Sequence, residues 1–283
     1  MKCLVINLDR SSDRLAHVIA EFDRIGIPFE RIAAVDALGR PDLASLQQLP
    51  ERIPGLRLTD TEIACVLSHR ACWSIIAAGD DAHVAVFEDD VVFSASAGVL
   101  LADAGWVPAD ADIVKLETFF QQTTIGLRRV NTGRGSSVRR LHTLHTGSAG
   151  YILSKRIAGA LVEATDEIDV PADHVLFDPV LQPWPDRIMY QLSPALCVQE
   201  QHLGQEAARL PSLIEQERRT RFAPAGKDKE PRRSMATRVM REIERLARQL
   251  AKVCRLRYSP IVPFEHHGQR VRPPHTQRRE NTL

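Results

Sequence analysis

The sequence has no long apolar stretch, few aromatic residues and no cysteine pairs spaced for metal binding. None of the apolar runs in its 283 residues approaches the ~18 residues of a membrane-spanning helix, which argues against a transmembrane enzyme. With 5% aromatic residues and no base-reading module, the chain offers little to a nucleic acid. Its five cysteines include no Cys-x-x-Cys pair, and its start lacks the apolar core of a signal peptide. We therefore expect reduced thiols and a cytoplasmic location.

Charge is distributed unevenly along the chain. The net charge is +1 overall, but residues 205–283 contain 19 Lys and Arg against 9 Asp and Glu, a net +10. Apolar residues recur every three or four positions over residues 235–257 among arginines, which predicts a basic amphipathic helix. We expect residues 206–234 to form a linker and residues 258–283 a disordered tail. The helix either packs on the body or binds the anionic inner face of the cytoplasmic membrane, which would make the protein peripheral.

The first 205 residues have the pattern of an α/β catalytic domain. A buried strand over residues 3–8 precedes a helix that Ser11 can cap and Gly26 ends, and a second strand follows over residues 29–35. Strand, helix and strand in this order form a βαβ unit. The sequence therefore predicts a mostly parallel central sheet.

Three further segments have clear local signals. Thr59 and Glu62 form a capping box at the start of a long helix. Residues 83–87 are rich in β-branched and aromatic side chains and predict a buried strand. The Gly- and Arg-rich residues 126–140 show no periodicity, so we predict a mobile loop there.

The most informative motif is Glu88-Asp89-Asp90, which directly follows the strand over residues 83–87. Adjacent carboxylates repel each other unless a cation lies among them, and hard oxygen ligands suit Mn²⁺ or Mg²⁺. We predict that Glu88 and Asp90 bind such a metal and that His202 is a third ligand. The alternatives are a solvated acidic turn and a solvated loop histidine.

Other candidates lie at the predicted ends of strands, in turns or on the second helix, where ligands of open α/β sheets can be contacted. The candidates for nucleotide or substrate contacts are Asn7, Asp9, Arg10, Asp36, His69 and Gly147. Each has a structural alternative as a strand-end cap, a core histidine or a tight turn. Asp173 follows a proline turn and either acts as a general base toward a sugar hydroxyl or caps a helix.

Six short blocks occur in order between residues 2 and 202. They are Val5-Ile6-Asn7-Leu8-Asp9-Arg10-Ser11-x-Asp13-Arg14, Glu62-x-x-Cys65-x-x-Ser68-His69-x-x-x-Trp73, Phe87-Glu88-Asp89-Asp90-Val91, Asp112-Ile113-Val114-Lys115-Leu116, Gly147-x-x-Gly150-Tyr151-Ile152-Leu153-Ser154 and Pro171-x-Asp173. Together they resemble glycosyltransferase family 25, the lipooligosaccharide and lipopolysaccharide biosynthesis enzymes related to collagen galactosyltransferases. Ala64 departs from the glycine that many members have at this position.

The resemblance implies a GT-A-like nucleotide-sugar-binding fold. It implies inverting transfer of a sugar, often galactose, from a UDP-sugar donor to a glycan or glycolipid acceptor. A divalent metal at Glu88 and Asp90 would stabilise the leaving UDP, and Asp89 would contact the ribose or the donor sugar. Asp173 would take the proton of the acceptor hydroxyl, with Glu117 as the second candidate for this base.

With this resemblance, further residues can be assigned to binding the diphosphate and shielding the donor from water. Lys115 and Arg10 would add positive charge near the diphosphate, and the loop over residues 126–140 would close over the donor and exclude water.

Two other functions remain open at this point. A sugar-phosphate nucleotidyltransferase also uses an α/β nucleotide fold with acidic metal ligands, but its glycine-rich signature is missing near the first strand. A non-enzymatic adaptor would bind lipid or nucleic acid through the basic tail.

Overall fold

The structure is a computed structural model that describes residues 1–46, 57–133, 135–181, 186–203, 256–266 and 269–271. Its helices are α1 Ser12–Ile25, α2 Leu43–Leu46, α3 Asp60–Ala78, α4 Ala97–Ala102, α5 Lys155–Ala164 and α6 Ala172–Phe177, with a 3₁₀ turn at Glu200–His202. Its strands are β1 Lys2–Asn7, β2 Glu30–Ala33, β3 His83–Glu88, β4 Val91–Phe93, β5 Ile113–Lys115, β6 Ile125–Gly126, β7 Val130–Asn131, β8 Ser137–Arg140, β9 Gly150–Ser154, β10 Met189–Ser193, β11 Cys197–Gln199, β12 Arg257–Tyr258, β13 Phe264–His266 and β14 Gln269–Val271.

An eight-stranded mixed sheet forms the centre of the fold. Its strand order is β2-β1-β3-β9-β5-β10-β8-β7. Strand β1 pairs in parallel with β2 and β3, and β5 pairs in parallel with β10. Strands β9 and β8 run against their neighbours, so six of the eight strands share one direction. This confirms a mostly parallel central sheet in an α/β fold.

Helices cover the two faces of this sheet because its strands alternate their side chains between two apolar clusters. In β3, Ala85 and Phe87 face the cluster that contains Phe22 of α1. Val84 and Val86 face the cluster that contains Trp73 of α3. The sheet is therefore buried on both sides, as expected for strands joined by helical crossovers.

Local signals in the sequence define the ends of the long helices. Helix α1 ends at Gly26, whose φ of 68° is left-handed and whose N–H bonds back to the last turn. Helix α3 begins at Thr59, whose side chain accepts from the Glu62 N–H while Glu62 accepts from the Thr59 N–H. The predicted capping box is thus confirmed.

The prediction of a mobile loop over residues 126–140 is wrong. Strands β7 and β8 lie in this segment, and β8 pairs with β10 inside the central sheet. Val138 is fully buried and lies opposite Val130 across the hairpin. The pairing depends on β10, which is about 50 residues away in sequence, so local composition did not indicate it.

Residues 256–266 pack on the body. Strand β12 pairs with β6, and β13 pairs with β14. Val262 and Phe264 are buried in a cluster with Phe120 and Val198. This differs from the expected disorder from residue 258 onward, because the apolar residues of this segment find partners on the body. The linker over residues 206–234 and nearly all of the predicted basic helix lie outside the described residues.

Within the described part of the chain, no helix has both the length and the hydropathy of a membrane span.

Replacing Phe264 by alanine tests the packing of the C-terminal segment. Phe264 has no exposed surface, so Phe264→Ala should lower the free energy of unfolding by about 3–5 kcal/mol in urea denaturation. Ile261→Ala, in the same segment but 43% exposed, should cost less than about 1 kcal/mol. Equal costs for the two variants would contradict this packing.

Candidate active site

Polar side chains from several strands meet at the carboxyl edge of the central sheet. Strand β1 ends at Asn7, and its neighbour β3 ends at Glu88. Strand β9 runs the opposite way, so its first residue Gly150 lies beside Phe87 at the same edge. Ligands of open α/β sheets bind in the crevice outside this edge. The predicted residues Asn7 and Glu88–Asp90 are therefore neighbours in space.

Asp89 and Asp90 share one basic partner, Arg14, which is not among the predicted site residues. Arg14 of α1 donates from Nη1 to Asp89 Oδ1 at 2.6 Å and from Nη2 to Asp90 Oδ2 at 3.1 Å. Asn7 Nδ2 donates to Asp89 Oδ2 at 2.7 Å, and Gln199 Nε2 lies 3.2 and 3.3 Å from the two Asp90 oxygens. Two features of the sequence could have indicated this contact. Adjacent acids need a nearby cation, and Arg14 lies in the first of the six blocks.

Burial governs the protonation of the two aspartates. It raises the pKa of Asp90 to about 7, with the nearby Arg14 guanidinium acting in the opposite direction. It also raises the pKa of Asp89, again against the effect of Arg14. Arg14 therefore favours the ionised form of both carboxylates, against the effect of burial.

Glu88 has different partners from its two neighbours. Its Oε1 accepts from Ser148 Oγ at 2.9 Å and lies 3.4 Å from His69 Nε2. Gln199 Nε2 is 3.5 Å from Oε2. Burial alone would raise the pKa of Glu88, but His69, Ser148 and Arg14 together hold it below its ordinary value.

Asp173 lies in the first turn of α6 and is held by the turn before β9. Its Oδ2 accepts from the Gly147 N–H at 3.0 Å, and its Oδ1 accepts from the His174 N–H at 2.9 Å. The next residue of the same turn, Ser148, donates to Glu88, so two consecutive residues hold Asp173 and Glu88. The structure thus places the predicted base close to the acidic motif.

Lys115 and Glu117 form a buried ion pair beneath this turn. Lys115 Nζ donates to Glu117 Oε1 at 2.8 Å and to the Gly147 carbonyl at 2.5 Å, and it lies 4.2 Å from the centre of the Phe177 ring. Ala149 N–H also donates to Glu117 Oε1 at 3.0 Å. Burial raises the pKa of Glu117, while Lys115 lowers it.

This burial corrects two predicted roles. Both side chains of the Lys115–Glu117 pair have 0% exposed surface, so the structure places neither where a diphosphate or an acceptor hydroxyl can be contacted. Gly147 was predicted to let the backbone approach a ligand, but the space beside its Cα is occupied by Glu117. The φ of Gly147 is +92°, and an added Cβ would lie 2.7 Å from Glu117 Oε1.

Asp9, Arg10 and Asp36 form the exposed rim of the edge. Arg10 Nε donates to Asp36 Oδ2 at 2.6 Å, and this hydrogen bond lowers the pKa of Asp36. Arg31 bonds Asp9 and donates from Nε to Asn7 Oδ1 at 2.9 Å, which connects the rim to the buried end of β1. These residues remain candidates for nucleotide contacts.

Two of the three predicted metal ligands, Glu88 and Asp90, meet at Gln199 Nε2, but among the described residues they form no group with His202. The Asp90 oxygens accept from Arg14 and Gln199, and the His202 ring packs on Phe119 with centroids 4.1 Å apart. Among the residues that the structure describes, a potential metal-binding group is found instead at Cys65, His69 and Glu88, whose ligand atoms all lie within 4.8 Å of one another. Glu88 is the one residue shared by the two sets.

Comparisons with known proteins agree with the resemblance of the six blocks. Residues 1–176 match the family described as "Glycosyltransferase family 25 (LPS biosynthesis protein)". The lacto-N-neotetraose biosynthesis glycosyltransferase LgtB of Neisseria meningitidis serogroup B is 32% identical over 92% of this chain and 98% of its own length. The lipooligosaccharide biosynthesis protein lic2B of Haemophilus influenzae is 30% identical over 76% of this chain and 82% of its own.

Similarity to solved structures is weaker. The inositol-1-phosphate CTP transferase from T. maritima superposes with a TM-score of 0.40 at 14% identity, over 70% of this chain and 88% of that one. A score at this level does not discriminate between classes of nucleotide-using enzyme.

Alanine at Gly147 tests the contact between the turn and Glu117. Gly147→Ala adds left-handed strain and a clash with a buried carboxylate, so it should lower the free energy of unfolding by about 2–5 kcal/mol. Gly133→Ala is the matched control, since its φ is +73° and nothing lies within 4 Å of an added Cβ. Gly133→Ala should show only the cost of the left-handed backbone, a loss of about 1 kcal/mol in the free energy of unfolding. Urea denaturation measures both, and equal losses would contradict the contact.

Replacing Arg14 by glutamine tests the charge compensation of the acidic motif. The Arg14→Gln variant leaves two buried carboxylates without their cation, which should cost about 3–5 kcal/mol at pH 8. Arg14 opposes the burial that raises the pKa of Asp90, so removing it should raise this pKa further, and the folded variant should take up the proton at a higher pH than the folded wild type. Once the carboxyl is protonated in both proteins, the missing cation costs less. The defect should therefore shrink at pH 5.

The control for this comparison is Arg40→Gln, which removes an exposed ion pair with Asp42. It should change stability little at either pH. A defect in Arg14→Gln that is the same at pH 8 and pH 5 would contradict the assigned role of Arg14.

Proposed function

This chain belongs to glycosyltransferase family 25, and we propose that it transfers galactose from UDP-galactose to a lipopolysaccharide or lipooligosaccharide acceptor with inversion. Family membership and relatives named for lipooligosaccharide synthesis support this acceptor class. The same membership favours a transferase over a nucleotidyltransferase or a non-enzymatic adaptor. We also propose that the α/β body is GT-A-like.

The observation that carries the proposal is the placement of Glu88 and Asp173 by consecutive residues at one edge of the sheet. Ser148 holds Glu88, and Gly147 holds Asp173. Inverting transfer needs a group that stabilises the leaving nucleotide and a base that faces the acceptor hydroxyl. One turn of chain places candidates for both beside each other.

Asp173 is the proposed catalytic base. Two backbone N–H groups orient its carboxylate and leave further lone pairs on both oxygens for a proton. The acceptor hydroxyl loses its proton to Asp173 as its oxygen attacks the anomeric carbon opposite the departing UDP. Glu117 has no exposed surface, so we assign it the positioning of the turn at residues 147–149 instead.

Asn7 has 1% exposed surface and donates to Asp89, so we assign it the positioning of that carboxylate. Asp89 and the Arg10–Asp36 pair are the proposed contacts to the nucleotide and the donor sugar. They lie at the carboxyl ends of β1 and β2 or beside the acidic motif, where nucleotides bind in such sheets. Enzymatic activity is proposed to depend on a divalent cation, with Glu88 as its acidic ligand. Such an ion supplies positive charge to the leaving diphosphate.

The basic segment over residues 235–257 is proposed to hold the enzyme peripherally on the inner face of the cytoplasmic membrane. The segment combines an apolar stripe with arginines, as membrane-surface helices do. Lipid-linked acceptors assembled at that face would then be close to the enzyme.

Replacing Asp173 by asparagine tests the assignment of the base. A panel of UDP-sugars is first screened by calorimetry, and transfer is then measured with the donor that binds. Asp173→Asn should keep donor affinity and lower kcat at least ~10²-fold, because only proton removal is lost. Asp166→Asn, an exposed acid paired with Arg70, should keep both. Full activity of Asp173→Asn would rule out the base, and binding of no UDP-sugar would rule out the donor class.

Neutralising the basic segment tests membrane attachment. Changing Arg241, Arg245, Arg248 and Lys252 to glutamine should reduce sedimentation with anionic liposomes, because each cation near the surface contributes about 1 kcal/mol. Neutral phosphatidylcholine liposomes are the control and should bind neither protein. Unchanged binding of the variant to anionic liposomes would contradict the proposal. This variant keeps β12–β14, whereas a truncation would remove them.

A further inference from the structure

Three potential metal ligands converge where α3 meets the end of β3. Cys65 and His69 are four residues apart on α3, so their side chains lie on one face of the helix. Glu88 reaches the same place from the sheet. Helix α3 is fixed by its capping box at one end and by the buried Trp73 further along, and β3 lies inside the central sheet between β1 and β9. Ligands on rigid elements are placed in advance of binding.

The His69 ring has a nitrogen that hydrogen bonding does not account for. Nε2 belongs to a side chain with 1% exposed surface, and it makes no hydrogen bond within the described residues. It lies 3.4 Å from Glu88 Oε1. Two ligand atoms that each bind a tetrahedral ion at ~2.0–2.1 Å are about 3.3 Å apart. The observed spacing therefore suits a shared cation.

Partners outside the group hold two of its three side chains, His69 and Glu88, in place. His69 Nδ1 is 3.0 Å from the Tyr151 hydroxyl, which also accepts from Trp73 Nε1 at 2.8 Å. Ser148 Oγ donates to Glu88 Oε1 at 2.9 Å. Metal-binding histidines and carboxylates commonly have such second partners, which set the ring orientation and the basicity of the ligand.

The donor atoms of the group indicate which cation it would prefer. A cysteine binds a metal as the thiolate, so binding would displace the thiol proton. Sulfur, imidazole nitrogen and one carboxylate oxygen suit Zn²⁺ or Co²⁺ better than Mg²⁺, which prefers oxygen ligands.

We propose that Cys65, His69 and Glu88 bind a borderline-soft divalent cation, Zn²⁺ by preference, at the carboxyl edge of the sheet. This site shares Glu88 with the cation proposed for activity, but it takes its other two ligands from α3 and not from Asp90 or His202. Its occupancy needs neither the donor nor the acceptor. Three protein ligands leave a fourth position for water or another oxygen, as in zinc sites that are not purely structural.

Cobalt substitution of the full chain tests the site directly. The protein is stripped with a chelator and titrated with Co²⁺, and the metal content is measured by mass spectrometry. We expect one Co²⁺ per chain, a near-ultraviolet thiolate-to-cobalt charge-transfer band, visible bands of low-symmetry Co²⁺, and displacement by Zn²⁺. These signals require no substrate, so they separate this proposal from the transferase activity.

Two cysteine variants make the test specific. Cys65→Ser should lose the charge-transfer band and weaken Co²⁺ binding at least ~10-fold. Cys72→Ala is the matched control, because Cys72 is a buried thiol of the same helix outside the group, and it should keep both. Circular dichroism verifies that each variant is folded.

Three results would overturn the proposal. The first is the absence of stoichiometric Co²⁺ or Zn²⁺ binding to the wild-type chain. The second is a charge-transfer band that persists in Cys65→Ser. The third is metal binding that Asp90→Asn abolishes and Cys65→Ser leaves unchanged, which would assign the cation to the acidic motif.

Discussion

The carboxyl edge of the central sheet depends on charge compensation of acids that the fold removes from water. Asp89 and Asp90 have side-chain exposures of 6% and 2%, and both accept from Arg14. A buried carboxylate without a partner costs several kcal/mol. The contact therefore ties α1 to the end of β3, and Gln199 extends the same network to β11. The same helix also packs its apolar residues against β3 in one buried cluster, so apolar contacts and the ion pair hold the two elements together.

The antiparallel strand β9 determines what else reaches this edge. A parallel strand in its place would begin at the opposite edge of the sheet. Because β9 begins beside the end of β3, the turn at residues 147–149 contacts Glu88, Glu117 and Asp173 at once. The buried Lys115–Glu117 pair supports the turn from below. The arrangement explains why three acids far apart in sequence contact the same turn.

Local signals predicted local structure well. The capping box at Thr59, the stop at Gly26 and the β-prone run that became β3 are all present, because each depends on neighbours in sequence. The hairpin over residues 130–140 and the packing of Phe264 were missed. Both depend on partners about 50 or more residues away, and a segment without its own periodicity gives no sign of them.

The sequence by itself determined the family, the α/β class and the acidic motif at the end of β3, because these follow from short motifs and local periodicity. Only the tertiary structure decided which side chains share a site. It paired Lys115 with Glu117 in the core, turned His202 onto Phe119, and brought Cys65 and His69 to Glu88. Strand order and direction fix these neighbours, and both come from long-range pairing and burial that no single segment encodes.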